Sequence, residues 1–342
     1  MPDVLGPGFE QLTLDLPGPA VATLVRHVGG PLPDAPALPA ADVLYLHGWS
    51  DYFFQRELAE FWHGAGARFY ALDLRNYGRS LREGLVPGQI TSLTEYDDDI
   101  AAALSAMGRG GVGSPGPADR PLILLGHSTG GLTASLWAAR HPGEVAAVVL
   151  NSPWLEFQAT QVGRAMVAPL IQTRSRFKPL APLPAVDPGF YTRAVSARYD
   201  GEWEYESEWR PERGFPVTVA FLNAVFHGQA EVARGLGIEA PVLVMLSDKS
   251  YLQPKWSEGA LAADVVLNVD TVARRAPDLG LNVTLQRIPG AFHDVFLSPA
   301  AIRTRAYAEL GQWIQAALDP AAARRWAEWS RERPGAPAQH SH

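Results

Sequence analysis

The sequence predicts an α/β fold: a mostly parallel sheet covered by helices on both faces and interrupted once by an insertion. Two observations carry this. Short, almost wholly apolar runs alternate with segments of helical spacing, and that rhythm breaks after the sixth run, then resumes some eighty residues later. A third observation agrees with them. The chain has 342 residues, 47% of them hydrophobic and 19% charged, which suits one large buried core carrying an insertion, or two domains.

The elements follow in order. Residues Phe9 to Val28 read as an opening hairpin, because Gln11–Leu14 and Ala22–Val25 alternate in polarity. After a Pro/Gly/Ala-rich loop, Gly29 to Ala40, the apolar run Val43–Leu46 reads as a buried third strand. A helix pattern spans Gln55 to Gly64, and Phe69–Leu72 is the next strand. Leu93 to Met107 is helical, with Tyr96, Ile100, Leu104 and Met107 at three- and four-residue steps. Its Asp97-Asp98-Asp99 falls in the first turns, where the helix dipole favours negative charge. Gly108 to Arg120 is a loop. The strand Leu122–Leu125, the helix Leu132–His141 and the sixth strand, Val145–Leu150, follow.

Beyond Glu156 the alternation stops until about Gly237. The strands Pro241–Leu246 and Thr284–Ile288 and the helix Ala301–Leu318 restore it. The expected organisation is a core of residues 1–155 and 238–320, an insertion of residues 156–237 after the sixth core strand, and a tail of residues 321–342. That tail is expected to begin as helix and to end in disorder from Pro334.

Charge and composition exclude several roles. A net charge of −7 does not suit nucleic-acid binding, which needs a basic patch. The absence of cysteine removes disulfides and thiolate metal sites. Met1 to Ala20 lacks the basic and apolar regions of a signal peptide, and no stretch approaches the ~20 apolar residues of a membrane span. A cytoplasmic protein is expected, with no cofactor, no metal and no assigned oligomer.

The most informative stretch is Leu122-Ile-Leu-Leu-Gly126-His127-Ser128-Thr129-Gly130-Gly131. An apolar strand runs into Gly-x-Ser-x-Gly, and a helix pattern follows at once. This is the context of a nucleophile elbow, in which a tight strand-to-helix turn exposes the serine hydroxyl and the glycines avoid collisions across the turn. The helix N-terminus then aims free amides at the reacting oxygen. Ser128 is therefore the candidate nucleophile.

With this motif the chain resembles the α/β-hydrolases, and its Gly-His-Ser-x-Gly-Gly elbow is similar to the group of monoacylglycerol lipases, lysophospholipases and serine aminopeptidase-like enzymes. The resemblance covers about Phe9 to Asn151 and Ala240 to Leu318. It implies an α/β-hydrolase fold whose insertion caps the active site. The turn His47-Gly48-Trp49-Ser50-Asp51, after the third strand, would supply one oxyanion-hole amide from Trp49, and Thr129, following the nucleophile, the other. His47 reads as a structural hydrogen-bonder. Asp73-Leu-Arg75-Asn76-Tyr77-Gly78-Arg79-Ser80 resembles the group's Asp-x-Arg-Gly-x-Gly-x-Ser, with Asn76 in place of the first glycine. Asp73 and Arg75 are expected to anchor that loop.

The fold orders its triad as serine, acid, histidine. His293 follows the last strand in Pro289-Gly-Ala-Phe-His293 and is the candidate base. His63, His141 and His227 sit in helix or insertion patterns, and His340 and His342 lie in the tail. Two acids compete. Asp248 lies directly after the strand that ends at Leu246, 45 residues before His293. Asp264 lies 29 residues before it and has the group's Asp-x-Val pattern followed by a helix, Asp270 to Ala276, and the last strand. The resemblance favours Asp264, with residues 247–263 as a local insertion, and Asp248 remains the competitor.

The insertion is rich in aromatics, among them Tyr191, Trp203, Tyr205, Trp209 and Phe221. They read either as an apolar acyl or aryl pocket or as packing of the insertion itself. Glu202, Glu204, Glu206 and Glu208 alternate with some of them. They read as a solvated face or, less simply, as a site for a cationic substrate terminus. The resulting expectation is a serine hydrolase acting through an acyl-enzyme on small or lipid-like esters. A peptidase, an acyltransferase and a non-catalytic binding protein are the alternatives.

Overall fold

The computed structural model describes residues 1–34, 36–38, 40–110, 120–157, 171–183 and 188–319. Eight strands form one sheet: β1 (Phe9–Asp15), β2 (Val21–His27), β3 (Asp42–Leu46), β4 (Arg68–Asp73), β5 (Leu122–His127), β6 (Ala147–Asn151), β7 (Val242–Ser247) and β8 (Val283–Ile288). Their order across the sheet is β1-β2-β4-β3-β5-β6-β7-β8. The hairpin β1–β2 is antiparallel and joins β4 antiparallel, while every pair from β4 through β8 is parallel. This is the α/β-hydrolase fold.

The strands are nearly continuous apolar runs because both faces are covered. Side chains alternate between two cores. Val43 and Tyr45 of β3 and Ile123 and Leu125 of β5 pack on one face with α1 (Arg56–Gly64) and α7 (Ala300–Ala317). Leu44, Leu46 and Leu124 pack on the other with α2 (Tyr96–Ala106), α3 (Thr129–Arg140), α5 (Val219–Val232) and α6 (Val269–Arg275).

Two element boundaries differ from the expectation for local reasons. The stretch from Leu93 opens as a single 3₁₀ turn, Leu93–Glu95, because the Ser92 side chain and Glu95 form a capping box there, and α2 proper begins at Tyr96. The helix after Ser128 begins at Thr129, three residues before Leu132. Thr129, Gly130 and Gly131 carry no apolar periodicity, but the tight turn at Ser128 delivers the chain straight into the helix. Between β6 and β7 the described residues hold α4 (Phe190–Val195) and α5, with helical backbone also at 171–177. The expected tail from 321, and residues 111–119 of the expected loop, lie outside the described residues.

Candidate active site

Ser128 sits at the end of β5 with φ 52° and ψ −115°, a conformation that non-glycine residues rarely hold. The surrounding glycines explain how it is held. A Cβ on Gly126 would collide with the carbonyl oxygen of Gly130, and one on Gly130 with the carbonyl oxygens of His47 and Leu46. The turn therefore packs directly on the end of β3. The Ser128 amide donates to the Asn151 carbonyl (3.0 Å), which ties the turn to β6 as well.

His293 lies in the loop after β8. Its Nε2 accepts from Ser128 Oγ at 3.0 Å, and its Nδ1–H donates to Asp264 Oδ2 at 2.9 Å. Ser128 is 8% exposed, His293 2% and Asp264 0%. The other oxygen of Asp264 accepts from the backbone amides of Val266 and Leu267, both at 2.7 Å, so the carboxylate is fixed in rotation. Asp248 is placed elsewhere. Its Oδ1 accepts from the Gly290 amide (2.9 Å) and its carbonyl from Arg287 Nη1 (3.1 Å), so it braces the start of the histidine loop. The excursion between the two acids closes on itself. The Asp264 amide donates to the Lys249 carbonyl (3.0 Å), and the Tyr251 amide donates to the Asp264 carbonyl (2.7 Å). Asp264 thus returns to the end of β7, from which Asp248 departs.

The turn after β3 lies against Ser128. A Cβ built on Gly48 would stand 3.1 Å from the Ser128 Cβ. Among the described residues the backbone amides of Trp49 and Thr129 donate to no protein acceptor. His47 is fully buried. Its Nδ1–H donates to the Gly48 carbonyl (2.8 Å) and its Nε2 accepts from the Leu74 amide (3.1 Å). Burial holds its pKa below the usual histidine range, so it is a neutral strut between two loops. Burial does the same to His127, whose Nδ1–H donates to the Asn151 carbonyl (3.1 Å) and whose ring lies 4.8 Å from that of His293.

The segment from Asp73 anchors its loop through its side chains. Asp73 accepts from the Phe53 amide (3.0 Å) and from Arg79 Nη1 (2.8 Å), and Arg75 Nε donates to Asp99 (2.7 Å). Asn76, where the resembling group has glycine, keeps a positive φ of 64°, which asparagine tolerates better than most residues.

Sequence reasoning missed two features. Asp294, adjacent to the candidate base, is buried and accepts from Asn151 Nδ2 (2.6 Å), Gln55 Nε2 (3.1 Å) and the Phe296 amide (2.9 Å). Arg210, in the segment between β6 and β7, is 4% exposed and its Nε donates to Asp51 Oδ1 at 3.1 Å. Neither has a local sequence signature, because their side-chain partners lie more than a hundred residues away.

The aromatics between β6 and β7 pack chiefly on core loops. Tyr191 stands edge-on to His293 at 5.5 Å, Phe221 lies 3.9 Å from Trp49, Trp209 meets Tyr52 and Tyr205 meets Phe54. Glu202, Glu204, Glu206 and Glu208 are all exposed, and Glu202 pairs with Arg303. A cavity of about 330 Å³ in this segment is lined by Thr192, Ser196, Tyr199, Tyr205, Arg210 and Glu212 among others, and neither Ser128 nor His293 lines it.

The sheet order and the elbow at the end of β5 define an α/β-hydrolase. Residues 37–300 match the model of the serine aminopeptidase S33 hydrolases, and the chain belongs to that family. It is 28% identical over 263 residues to the monoacylglycerol lipase of Mycolicibacterium smegmatis, covering 76% of this chain and 84% of that protein. It is 32% identical over 123 residues to the phospholipase YtpA of Bacillus subtilis, covering 35% of this chain and 43% of that protein. The solved monoacylglycerol lipase of Paleococcus ferrophilus superposes with a TM-score of 0.60 at 20% identity, covering 82% of this chain and 97% of that one. Among the described residues no helix is long and apolar enough to cross a membrane.

Proposed function

We propose that the chain is a serine hydrolase that cleaves carboxylic esters of small or lipid-like acyl substrates. The observation that supports this best is the unbroken hydrogen-bonded chain from Ser128 Oγ through His293 to Asp264, buried at the end of the parallel strands. Ser128 attacks the ester carbonyl while His293 Nε2 takes its proton, and Asp264 holds the tautomer and stabilises the imidazolium. The amides of Trp49 and Thr129 receive the oxyanion. The proton on His293 then passes to the leaving alcohol, giving an acyl-enzyme that water hydrolyses by the same steps. Its similarity to proteins named monoacylglycerol lipase and phospholipase favours lipid-like esters over peptides. Residues 156–237 act as a cap over the two core pieces, residues 1–155 and 238–320, a reading supported by the packing of Tyr191 on His293 and of Phe221 on Trp49.

A fluorophosphonate probe followed by peptide mapping, with a chain-length series of p-nitrophenyl esters, tests this reading. Labelling at Ser128 is expected, and Ser128→Ala should remove it and lower turnover by roughly 10⁶. A Ser128→Ala protein that hydrolyses esters at a normal rate would falsify the serine mechanism.

A further inference from the structure

The turn after β3 is tied residue by residue to one stretch of the segment between β6 and β7. Ser50 Oγ accepts from the Phe215 amide at 2.9 Å. Asp51 Oδ1 accepts from Arg210 Nε at 3.1 Å. Tyr52 Oη accepts from the Glu206 amide at 2.7 Å. Three consecutive residues thus meet three partners spread over 206–215, each more than 150 positions away.

The ties fall where the backbone is least able to hold itself. Ser50, which follows Trp49, has a φ of 51°, a strained conformation that persists only when its surroundings over-determine it. The far side of the turn is already fixed, because the Phe53 amide donates to Asp73 and its carbonyl accepts from Arg79 Nη1 at 3.0 Å. Arg210 is itself immobilised. Its guanidinium lies 4.6 Å from the Tyr205 ring and 4.8 Å from the Tyr191 ring, and Tyr191 in turn stands against His293. The Trp49 ring is held by Phe221.

We propose that residues 206–215 form a positioning element of the oxyanion site, in which Ser50, Asp51 and Tyr52 transmit its hold to the Trp49 amide. This rests on the reading of that amide as an oxyanion donor under the proposed function. On this account the segment over the site does more than cover it, because the geometry that receives the developing charge depends on its being seated. An amide displaced by a fraction of an ångström binds the ground-state carbonyl nearly as well but stabilises the oxyanion less, since only the charged oxygen needs the close donor.

Arg210 and Asp51 are both buried, so breaking that pair would disturb folding as well as position. Ser50→Ala and Tyr52→Phe each delete one hydroxyl and leave the strand, the elbow and the ion pair in place. The experiment measures kcat and KM for a p-nitrophenyl ester on active-site-titrated protein. It also measures inhibition by an alkyl trifluoromethyl ketone, whose hydrated or serine-bound form mimics the tetrahedral intermediate, and thermal unfolding. Each variant should lose about tenfold in kcat, and the double variant about 10², the low end of the roughly 10²–10³ for a whole donor removed, with KM within about twofold. Affinity for the ketone should fall in proportion to kcat. Unchanged kcat and ketone affinity in the double variant, whatever its melting temperature, would overturn the proposal and leave the ties as packing alone. A wild-type protein that neither hydrolyses the esters nor is labelled at Ser128 would remove the functional reading itself, and this inference with it.

Discussion

Asp264 Oδ2 stands 2.9 Å from His293 Nδ1, and its second oxygen is pinned by two backbone amides. That pinning sharpens what an asparagine would do there. The Asn oxygen would keep the Val266 and Leu267 amides, so its NH₂ would face His293. The imidazole would then have to accept at Nδ1 and carry its proton on Nε2, where it cannot receive one from Ser128. Asp264→Asn should therefore cost on the order of 10⁴ in kcat with the fold preserved. Asp248→Asn, which still accepts from the Gly290 amide, should have a mild effect. Ester kinetics on both purified variants, with circular dichroism as the control, decide the matter, and the reverse ranking would make Asp248 the acid.

The glycines of the elbow offer a stability test. Gly130→Ala would push a Cβ into the carbonyls of Leu46 and His47, backbone atoms of a central strand that cannot move aside. A loss of about 3 kcal/mol or outright misfolding is expected. Gly143, also at positive φ (80°), has nothing within 4 Å of its would-be Cβ. Gly143→Ala should cost only the backbone strain, about 1 kcal/mol. Urea denaturation of the two variants compares collision with strain, and equal losses would contradict the steric account.

Acidification should weaken the fold through His47. Burial lowers its folded pKa below 6.5, so the unfolded chain takes up the proton first as pH falls. The stabilisation is complete above about pH 6.5 and is lost below it, by up to about 1.4 kcal/mol per pH unit. Other groups titrate in the same range, so the measurement is a difference. Unfolding free energies between pH 5.5 and 7.5 should depend less on pH in His47→Gln than in the wild type. Parallel curves would show that His47 is not excluded from protonation in the folded state.

Asn151 joins the turn at Ser128 to the loop that carries His293. Its carbonyl accepts from the Ser128 amide, its Nδ2 donates to Asp294 and its Oδ1 accepts from the Val295 amide (3.1 Å). Asn151→Ala should cost about 1–3 kcal/mol by leaving buried groups unpaired. Asn151→Asp should cost more, because it sets a second buried carboxylate against Asp294. Calorimetry on both variants checks the ranking, and an aspartate no worse than alanine would contradict the expected repulsion.

What was legible in the sequence was whatever nearest neighbours control. The apolar runs from Val43, Leu122 and Val242 are strands because both faces of each are buried, and a run of side chains announces that by itself. Ser128 stood out because only a turn of this kind needs glycine two residues to either side, a steric demand written within five positions. His293 was singled out by the order in which this fold places its triad and by the resemblance of Pro289-Gly-Ala-Phe-His293 to the family's loop after the last strand. The choice between Asp248 and Asp264 was different. A resemblance favoured the second, but the geometry depends on where an excursion leaving at Lys249 comes back, and only the closure of that loop against Asp264 brings the latter carboxylate to the histidine. The burial of Arg210 against Asp51, the seating of Asp294 among Asn151 and Gln55, and the three ties from residues 206–215 to the turn after β3 left no local trace at all. Each is a hydrogen bond between residues far apart in the chain, and its energy exists only once the sheet has brought the two loops to the same edge.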